Sequence, residues 1–384
     1  MIYSDRIKLA NKEECTGCNA CVSACSMSSI QMKYDKEGFL QPYINTKTCI
    51  KCHKCEKVCP VLNKRTIEFQ CNKTTAYAAN NKNDDIRKIS SSGGIFYEIS
   101  KFIINNNGIV FGATFDDDFN VVHKYVTKIH EIDSLCGSKY VQSKIGNSFL
   151  EVKRFLKEGR LVLFSGTPCQ VAGLCAFLGK SYENLILVDL VCHGVPSPLV
   201  WRKFLFESFI SDLNLENNKI DFRNKNFGWG YNFTINEKLV YNGYKSNPFY
   251  FGFISNVLLR RSCYKCNFRD YNRVSDITLG DYWETERFCK VLSDGKGTSL
   301  LLVHSNKGKS LINTIKDEIN LIEQDKNDVI ISNPQIIYQT KINSKRRYFF
   351  FLNSFLPFSI AKHAIYHDFI FIRVIRKIKR IIKK

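Results

Sequence analysis

Nowhere in its 384 residues does the chain carry the roughly 20 consecutive apolar residues that a membrane-crossing helix needs. Its most apolar stretch, Tyr348 to Ala361, is broken by Asn353, Ser354 and Pro357, and the opening MIYSDRIKLANKEE lacks the apolar centre of a secretion signal. Glycine and proline, at 21 and 8, are too few for a collagenous or low-complexity chain, and 44% hydrophobic against 24% charged residues is the balance of an ordinary folded protein. No G-x-G-x-x-G follows a predicted strand and no G-x-x-x-x-G-K-S/T occurs, so neither a Rossmann dinucleotide site nor a P-loop is supported. Acidic residues are scarce as well: 36 against 56 basic ones leave a formal charge of +20.

What the chain has in abundance is cysteine. Sixteen of them, without a secretion signal, point to a reducing, cytoplasmic compartment where thiols are kept for metals. Cys15, Cys18, Cys21 and Cys25 are spaced C-x2-C-x2-C-x3-C in CTGCNACVSAC, and Cys49, Cys52, Cys55 and Cys59 repeat the spacing in CIKCHKCEKVCP. Three cysteines so spaced put their sulfurs on three corners of a 4Fe-4S cube, while the fourth, at a helix start, points to the other cube. The expected ligand sets therefore cross: Cys15, Cys18 and Cys21 with Cys59, and Cys49, Cys52 and Cys55 with Cys25. A pair of zinc sites is the alternative, and two unbroken four-member runs fit it poorly. IQMKYD and GFLQPYIN, on either side of Lys36-Glu37-Gly38, predict the β-hairpin that a bacterial ferredoxin places between such runs. Asn19 and His53 stand where ferredoxins usually have glycine, and both are residue types that tolerate positive φ. Two or three cubes of about −2 each would offset about four to six of the positive units. With no aromatics interleaved in a compact basic stripe, nucleic acid is not an expected partner.

Past residue 71 the pattern becomes α/β. Ser91, Ser92, Gly93 and Gly94 precede IFYEISKFI, a helical periodicity whose free N–H groups suit a phosphate, and GIVFGATF follows as a strand. The buried-type strands LVLFSG (161 to 166) and LILVDLV (185 to 191) flank a helix opened by Thr167, Pro168, Cys169 and Gln170. This βαβ unit sets Cys169 and Cys192 at carboxyl ends of parallel strands, where open α/β sheets bind ligands. A helix ending LLRR leads into Cys263-Tyr264-Lys265-Cys266, and SDITLGDYW is a further strand. Two lone cysteines cannot complete a tetrahedral site, so Cys169, Cys192, Cys263 and Cys266 are expected to form a third four-cysteine set. Cys71, Cys136, Cys175 and Cys289 show no pairing.

Together with GSKY (137 to 140), GTPCQVAGL (166 to 174), DLVCHGVPSP (189 to 198), FRNKNFGW (222 to 229), CYKCNFR (263 to 269) and SDITLGDYW (275 to 283), this order of motifs resembles the coenzyme F(420) hydrogenase/dehydrogenase beta-subunit family. The resemblance runs from about residue 10 to about 310. It implies an FAD- and iron–sulfur-dependent oxidoreductase in which two 4Fe-4S clusters, and a third beside the flavin, pass single electrons to FAD. The flavin then exchanges a hydride with a small organic molecule. In family members that molecule includes the 5-deazaflavin coenzyme, and plant relatives reduce a chlorophyll derivative; bacterial relatives beside polysaccharide-synthesis enzymes have an unidentified acceptor. FAD would be held by Ser91, Ser92, Gly93 and Gly94, by Gly137, Ser138, Lys139 and Tyr140, and by Gly166, Thr167, Pro168 and Gln170. His193, Lys139 and Asp281 are the catalytic candidates, His193 because its ordinary pKa lies near neutrality. A ferredoxin or a partner redox subunit would exchange electrons with the clusters. The alternative reading is a noncatalytic electron-transfer subunit of a larger redox complex.

The expected architecture is thus a bacterial-ferredoxin-like dicluster domain over 1–70, a mixed α/β flavin-binding domain over 71–335, and a basic helical tail over 336–384. The run FIRVIRKIKRIIKK (371 to 384) has seven cations and no acid, with an apolar face if helical. Such a helix docks on a partner or lies peripherally on the inner face of a membrane.

Overall fold

The computed structural model describes residues 7–63, 74–210, 218–271 and 273–367. Near the N-terminus, β1 (Ile30–Tyr34) and β2 (Leu40–Ile44) pair antiparallel with Tyr34 opposite Leu40. Asp35 makes the turn, its Oδ1 accepting from the N–H groups of Glu37 (2.8 Å) and Phe39 (3.1 Å). Gly38 sits at φ 80°, and a Cβ there would stand 2.6 Å from Ser197 Oγ, so glycine lets the hairpin tip touch the rest of the molecule. The short helices Ala20–Ser23 and Lys54–Lys57 each follow a left-handed cap, Asn19 at φ 71° and His53 at φ 57°.

The main sheet takes β3 (Thr75–Asn81), β4 (Ile109–Phe115), β5 (Val121–Val126), β6 (Val162–Gly166) and β7 (Leu185–Leu190) from the first part of the chain. A separate three-stranded sheet, β8 (Ile220–Asp221), β9 (Asn232–Ile235) and β10 (Lys238–Asn242), comes next. The chain then returns with β11 (Ile277–Asp281), β12 (Ser299–Val303) and β13 (Ile319–Gln324), giving the order β13-β3-β12-β11-β7-β6-β4-β5. The inner strands β4, β6, β7 and β11 are parallel and the outer pairings antiparallel. Every residue of β6 is buried, as are Leu185–Asp189, the continuous apolar pattern of strands covered on both faces. Between them, the helix Pro168–Leu178 begins with proline in its first turn and a bond from Thr167 N–H to Gln170 Oε1 (3.0 Å); it stops at Gly179, φ 70°. Because the inner strands run one way, Gly166, Leu190 and Asp281 all end at one edge of the sheet.

Two expectations change. The helix expected to continue to LLRR ends at Ile254. Asn256 turns left-handed at φ 65°, Gly252 leaves no room for a Cβ beside Leu258, and Leu259 bridges to Pro196, so the leucines serve the core in an extended segment. Residues 345–366, expected in a tail, form the helices Lys345–Asn353, Phe358–Ala361 and His363–Tyr366. Their Phe349, Phe350, Phe358 and Ile365 share one core with Trp201, Phe204, Phe233 and Phe249, because this face is aromatic, whereas the tail expectation followed the cations of 371–384. The amphipathic run 371–384 lies outside the described residues. Among the described residues, no helix is long and apolar enough to cross a membrane.

Arg346, on the first of these C-terminal helices, also grips the N-terminal hairpin. Its Nη2 lies 2.6 Å from Glu37 Oε2, and Arg261 Nη2 lies 2.7 Å from Glu37 Oε1. Burial pushes the Glu37 carboxyl up, but the hydrogen bonds and charges of Arg346 and Arg261 outweigh it and hold the group at about 2. A carboxylate depressed on folding stabilises fully above its unfolded value of about 4.5 and loses that contribution as pH falls towards about 2. Glu37→Gln should therefore lower stability by about 3 kcal/mol at neutral pH, the scale of a buried ion-pair partner left alone. In urea unfolding followed by tryptophan fluorescence, the gap to wild type should shrink between about pH 4.5 and about pH 2. A gap independent of pH would exclude the ionised pair as its source.

Candidate functional site

The first cysteine loop is fixed by side chains from the α/β body. Arg260, 1% exposed, donates from Nε to Cys15 O (2.7 Å), from Nη2 to Leu40 O (2.9 Å) and from Nη1 to Gln142 Oε1 (3.0 Å), while Gln142 Nε2 donates to Thr16 O (2.9 Å). Gly17 (φ 70°) lets this pair approach, since a Cβ there would be 2.8 Å from Gln142 Nε2. Cys15, Cys18, Cys21 and Cys59 then line one small cavity, three sulfurs of the first run and the last of the second. Burial pushes the Cys18 thiol up to about 12, with the neighbouring Cys15 and Cys59 adding to the rise. Cys21 is raised by burial and then by Cys18, Cys15, Cys59 and Cys55. In the second run, burial raises Cys55 to about 11 with Cys49 nearby; Cys52 is exposed, and Cys25 Sγ accepts from Ser29 N–H at 3.3 Å.

The helix Pro168–Leu178 connects this cavity to the sheet edge. A Cβ on Gly173 would come within 2.9 Å of both Cβ and Sγ of Cys18, so the helix backbone lies directly against that cysteine. One turn earlier on the helix is Cys169. Burial lifts Cys169 well above its ordinary value, and Cys266, Cys192 and Cys263 add to the rise. Cys263 is pushed up to about 12 by burial and feels Cys192 and Cys266, whereas the rise of Cys192 is opposed by Arg269 and Arg273. The four thiols are thus electrostatic neighbours although they come from three distant segments. Among the described residues, no three His, Cys, Asp or Glu side chains are arranged to hold a single metal ion. The sulfurs of a cube bind four different irons and spread wider than the ligands of one ion.

A cleft of about 410 Å³ opens at the carboxyl edge of β6, β7 and β11, a size suited to a small molecule or cofactor. Ser91, Ser92, Gly94, Gly137, Ser138, Lys139, Tyr140, Gly166, Thr167, Cys169, Gln170, Cys192, His193 and Asp281 line it; Gly93 and Pro168 do not. Gly93 packs on the sheet instead, where a Cβ would be 2.4 Å from Ala79 O. The Ser91 and Ser138 hydroxyls meet at 2.8 Å beside the start of the helix Ile95–Asn105, while Ser92 Oγ turns away to Thr298 O (2.7 Å). Lys139 Nζ donates to Ser134 O (3.0 Å) and Cys136 O (2.6 Å), and burial lowers it to about 8 against the opposite pull of Cys136 and Asp221. His193 Nε2 is 2.7 Å from Asn256 Oδ1 and the ring also engages the Phe253 backbone. Burial, then Arg269, lowers its proton affinity. Asn256 thus fixes the orientation of the ring at the cleft wall.

Sequence reasoning missed the cleft's aromatic wall. Arg223, 3% exposed, donates from Nε to Gly230 O (3.2 Å) and from Nη1 to Asp281 Oδ2 (2.6 Å), and lies over the rings of Trp283 (5.3 Å), Tyr231 (5.5 Å) and Trp229 (5.8 Å). Trp229 and Trp283 stack at 5.0 Å, and Trp229 Nε1 donates to Ser91 O (3.0 Å). Three cleft-lining residues keep a buried polar atom without a hydrogen-bond partner: Arg223 Nη2, Asp281 Oδ1 and His123 Nδ1. The sequence signal for Arg223 was its place in FRNKNFGW; its partners on β11 and in the SSGG turn could not be read from that motif. Orphaned donors and acceptors inside a cleft of this size fit a polar ring ligand such as a flavin, and the thiol sets fit iron–sulfur cubes.

Residues 159–329 match the family model for the C terminus of the coenzyme F(420) hydrogenase/dehydrogenase beta subunit, and residues 14–63 match that of the 4Fe-4S dicluster domain. No curated protein matches the chain. Among solved structures it is similar, at 13% identity and a TM-score of 0.46, to a chain of the xenon-derivatised F(420)-reducing nickel–iron hydrogenase complex from Methanosarcina barkeri, covering 68% of this chain and 88% of that one. The family segment begins just before β6 and carries Cys169, Cys192, Cys263, Cys266, Arg223 and Asp281, while the dicluster segment carries both cysteine runs. The chain is therefore an iron–sulfur protein of the oxidoreductase, electron-transfer type, and its residues 159–329 belong to the coenzyme F(420) hydrogenase/dehydrogenase beta-subunit family.

Proposed function

We propose that this chain is an iron–sulfur flavoprotein that passes single electrons between a partner redox protein and FAD in the cleft, for hydride exchange with a small organic acceptor. The observation that carries the reading is one helix touching both ends of such a path: Gly173 of Pro168–Leu178 lies against Cys18, and Cys169 opens into the cleft. Cys15, Cys18, Cys21 and Cys59 would hold one cube, Cys49, Cys52, Cys55 and Cys25 a second, and Cys169, Cys192, Cys263 and Cys266 a third. Exposed Cys52 and Ile50, with the exposed Lys47, Lys51, Lys54 and Lys57, suit the approach of an acidic ferredoxin or partner subunit. FAD, when bound, takes up electrons one at a time and gives them up as a hydride. The N–H groups at the start of Ile95–Asn105, with Ser91 and Ser138, would receive its phosphates. Gly137, Tyr140, Gly166, Thr167 and Gln170 would line the remainder. Lys139, brought down to about 8 by burial and lining the cleft, is the proton donor of this reading, with His193 the second candidate on the same wall. The acceptor is a 5-deazaflavin or a metabolite of similar hydride chemistry.

Purified anaerobically, the full chain should show flavin bands above the broad iron–sulfur absorbance at roughly 400 nm. Clusters that take up no flavin even after FAD is added would leave a noncatalytic electron-transfer subunit, and a colourless zinc protein would end both readings. Crossed ligation makes a separate demand: Cys59→Ser should empty the cube of Cys15, Cys18 and Cys21 and spare the other, as followed by iron content and cluster-resolved electron paramagnetic resonance. Loss of the second cube alone would reverse the assignment. For Lys139, turnover with the 5-deazaflavin coenzyme should decline as pH rises through about 8, where the proton to be donated is lost. Lys139→Met should reduce turnover by about 100-fold at lower pH while cluster-to-flavin transfer continues; an unaltered pH profile in the variant would return the proton to solvent.

A further inference from the structure

Arg223 and Asp281 spend only part of their bonding capacity on each other. Arg223 Nη1 meets Asp281 Oδ2 at 2.6 Å, and Nε is used by Gly230 O. Arg223 Nη2 and Asp281 Oδ1 remain, both buried, both without a hydrogen-bond partner, on residues that line the same cleft. Tyr140 faces the guanidinium without satisfying that Nη2. Leaving such groups unpaired is costly, so a buried orphan pair on residues that line a cavity asks for a ligand.

The pair also specifies which ligand. One unsatisfied donor beside one unsatisfied acceptor, on cleft-lining side chains whose charges cancel, is complementary to a neutral group offering an acceptor beside a donor. A carboxylate or phosphate would meet Asp281 Oδ1 lone pair to lone pair, and an ammonium group would meet the guanidinium. Tyr231 and Trp283, stacked at 6.3 Å and 23°, supply a flat aromatic wall next to the pair, which suits a planar ring. We infer that Arg223 and Asp281 together recognise the lactam edge, C=O beside N–H, of a planar heterocycle bound in the cleft: Arg223 donates to the carbonyl and Asp281 accepts from the ring N–H. This deepens the flavin reading and rests on it. The ring is either that of the bound cofactor or that of the incoming acceptor, since both kinds carry the same edge.

The probe is lumiflavin, which has the lactam edge and no phosphate, compared with N(3)-methyllumiflavin, whose ring N–H is blocked. In equilibrium dialysis against the full, cluster-loaded chain, lumiflavin should bind about tenfold more tightly than the methylated ring, the scale of a hydrogen bond to a charged group. Asp281→Leu should remove the discrimination, and Asp281→Asn, which keeps the shape, should reduce it. Equal binding of the two rings by the wild-type chain overturns the proposal without needing any variant to fold, and so does discrimination that survives in Asp281→Leu. If FAD binds but the two rings are not distinguished, this proposal fails and the flavin reading stands; if no flavin binds at all, both fail. Repeating the dialysis on FAD-saturated protein separates the sources: discrimination that persists assigns the edge to an incoming ring, and loss of lumiflavin binding assigns it to the cofactor's own.

Discussion

The contact on which the remaining site geometry depends is that of Arg260 with the first cysteine loop. Its guanidinium satisfies the carbonyls of Cys15 and Leu40 and, through Gln142, stands beside that of Thr16. A loop shaped to present three sulfurs to a cube cannot pair its backbone in a ladder, so its buried carbonyls need donors from elsewhere. Planar and carrying five N–H groups, arginine can serve several of them at once. With the loop pinned there, Cys18 comes against Gly173, and the helix carrying Gly173 begins at the sheet edge where Cys169 and the cleft lie. A side chain at position 17 or 173 would open that seam.

Burial then decides the state of the thiols. Cys18, Cys21, Cys169, Cys192 and Cys263 are all raised, principally by desolvation, so without metal they hold their protons. Only thiolates ligate iron, and loading such a site must release protons. The cost of the resulting negative charge is met locally: Arg269 and Arg273 pull against the rise at Cys192, and Arg260 does so at Cys263. The third thiol set thus sits in a basic setting suited to an anionic cluster, and its four sulfurs reach it from β6, β7 and the segment ahead of β11.

Much of this was legible in the sequence wherever the signal is local. The cysteine runs, the hairpin around Lys36-Glu37-Gly38, the left-handed Asn19 and His53, and the strand–helix–strand around Thr167 each depend on residues a few positions apart. What escaped depends on partners distant in the chain. Arg223 looks like one more surface cation until β11 brings Asp281 to it and the SSGG turn brings Trp229. LLRR has a helical composition, yet Asn256 reverses the chain before it and the leucines pack in an extended segment. The helices of 345–366 read as part of a tail because the seven cations of 371–384 set the character of the C-terminal region, whereas the use of their aromatic face shows only once Trp201 and Phe249 lie opposite.

The charge of +20 takes a different meaning in this light. Arg87, Arg223, Arg260, Arg273 and Arg346 are each 5% exposed or less, so five of the cations contribute no surface patch. Each links segments far apart: Arg87 to Asp294 and Gly297 O, Arg273 to Asp189, Phe268 O and Ile336 O, Arg346 to Glu37 and Leu259 O. Lysine could replace the charge but not the geometry, because a single ammonium cannot reach two carbonyls and a carboxylate in one plane. Part of the basic excess is therefore internal framework for loops that carry cysteines and line the cleft, and those loops have few backbone bonds of their own. The lysines near the second cysteine run, Lys47, Lys51, Lys54 and Lys57, are by contrast exposed, so there the positive charge does lie on the surface.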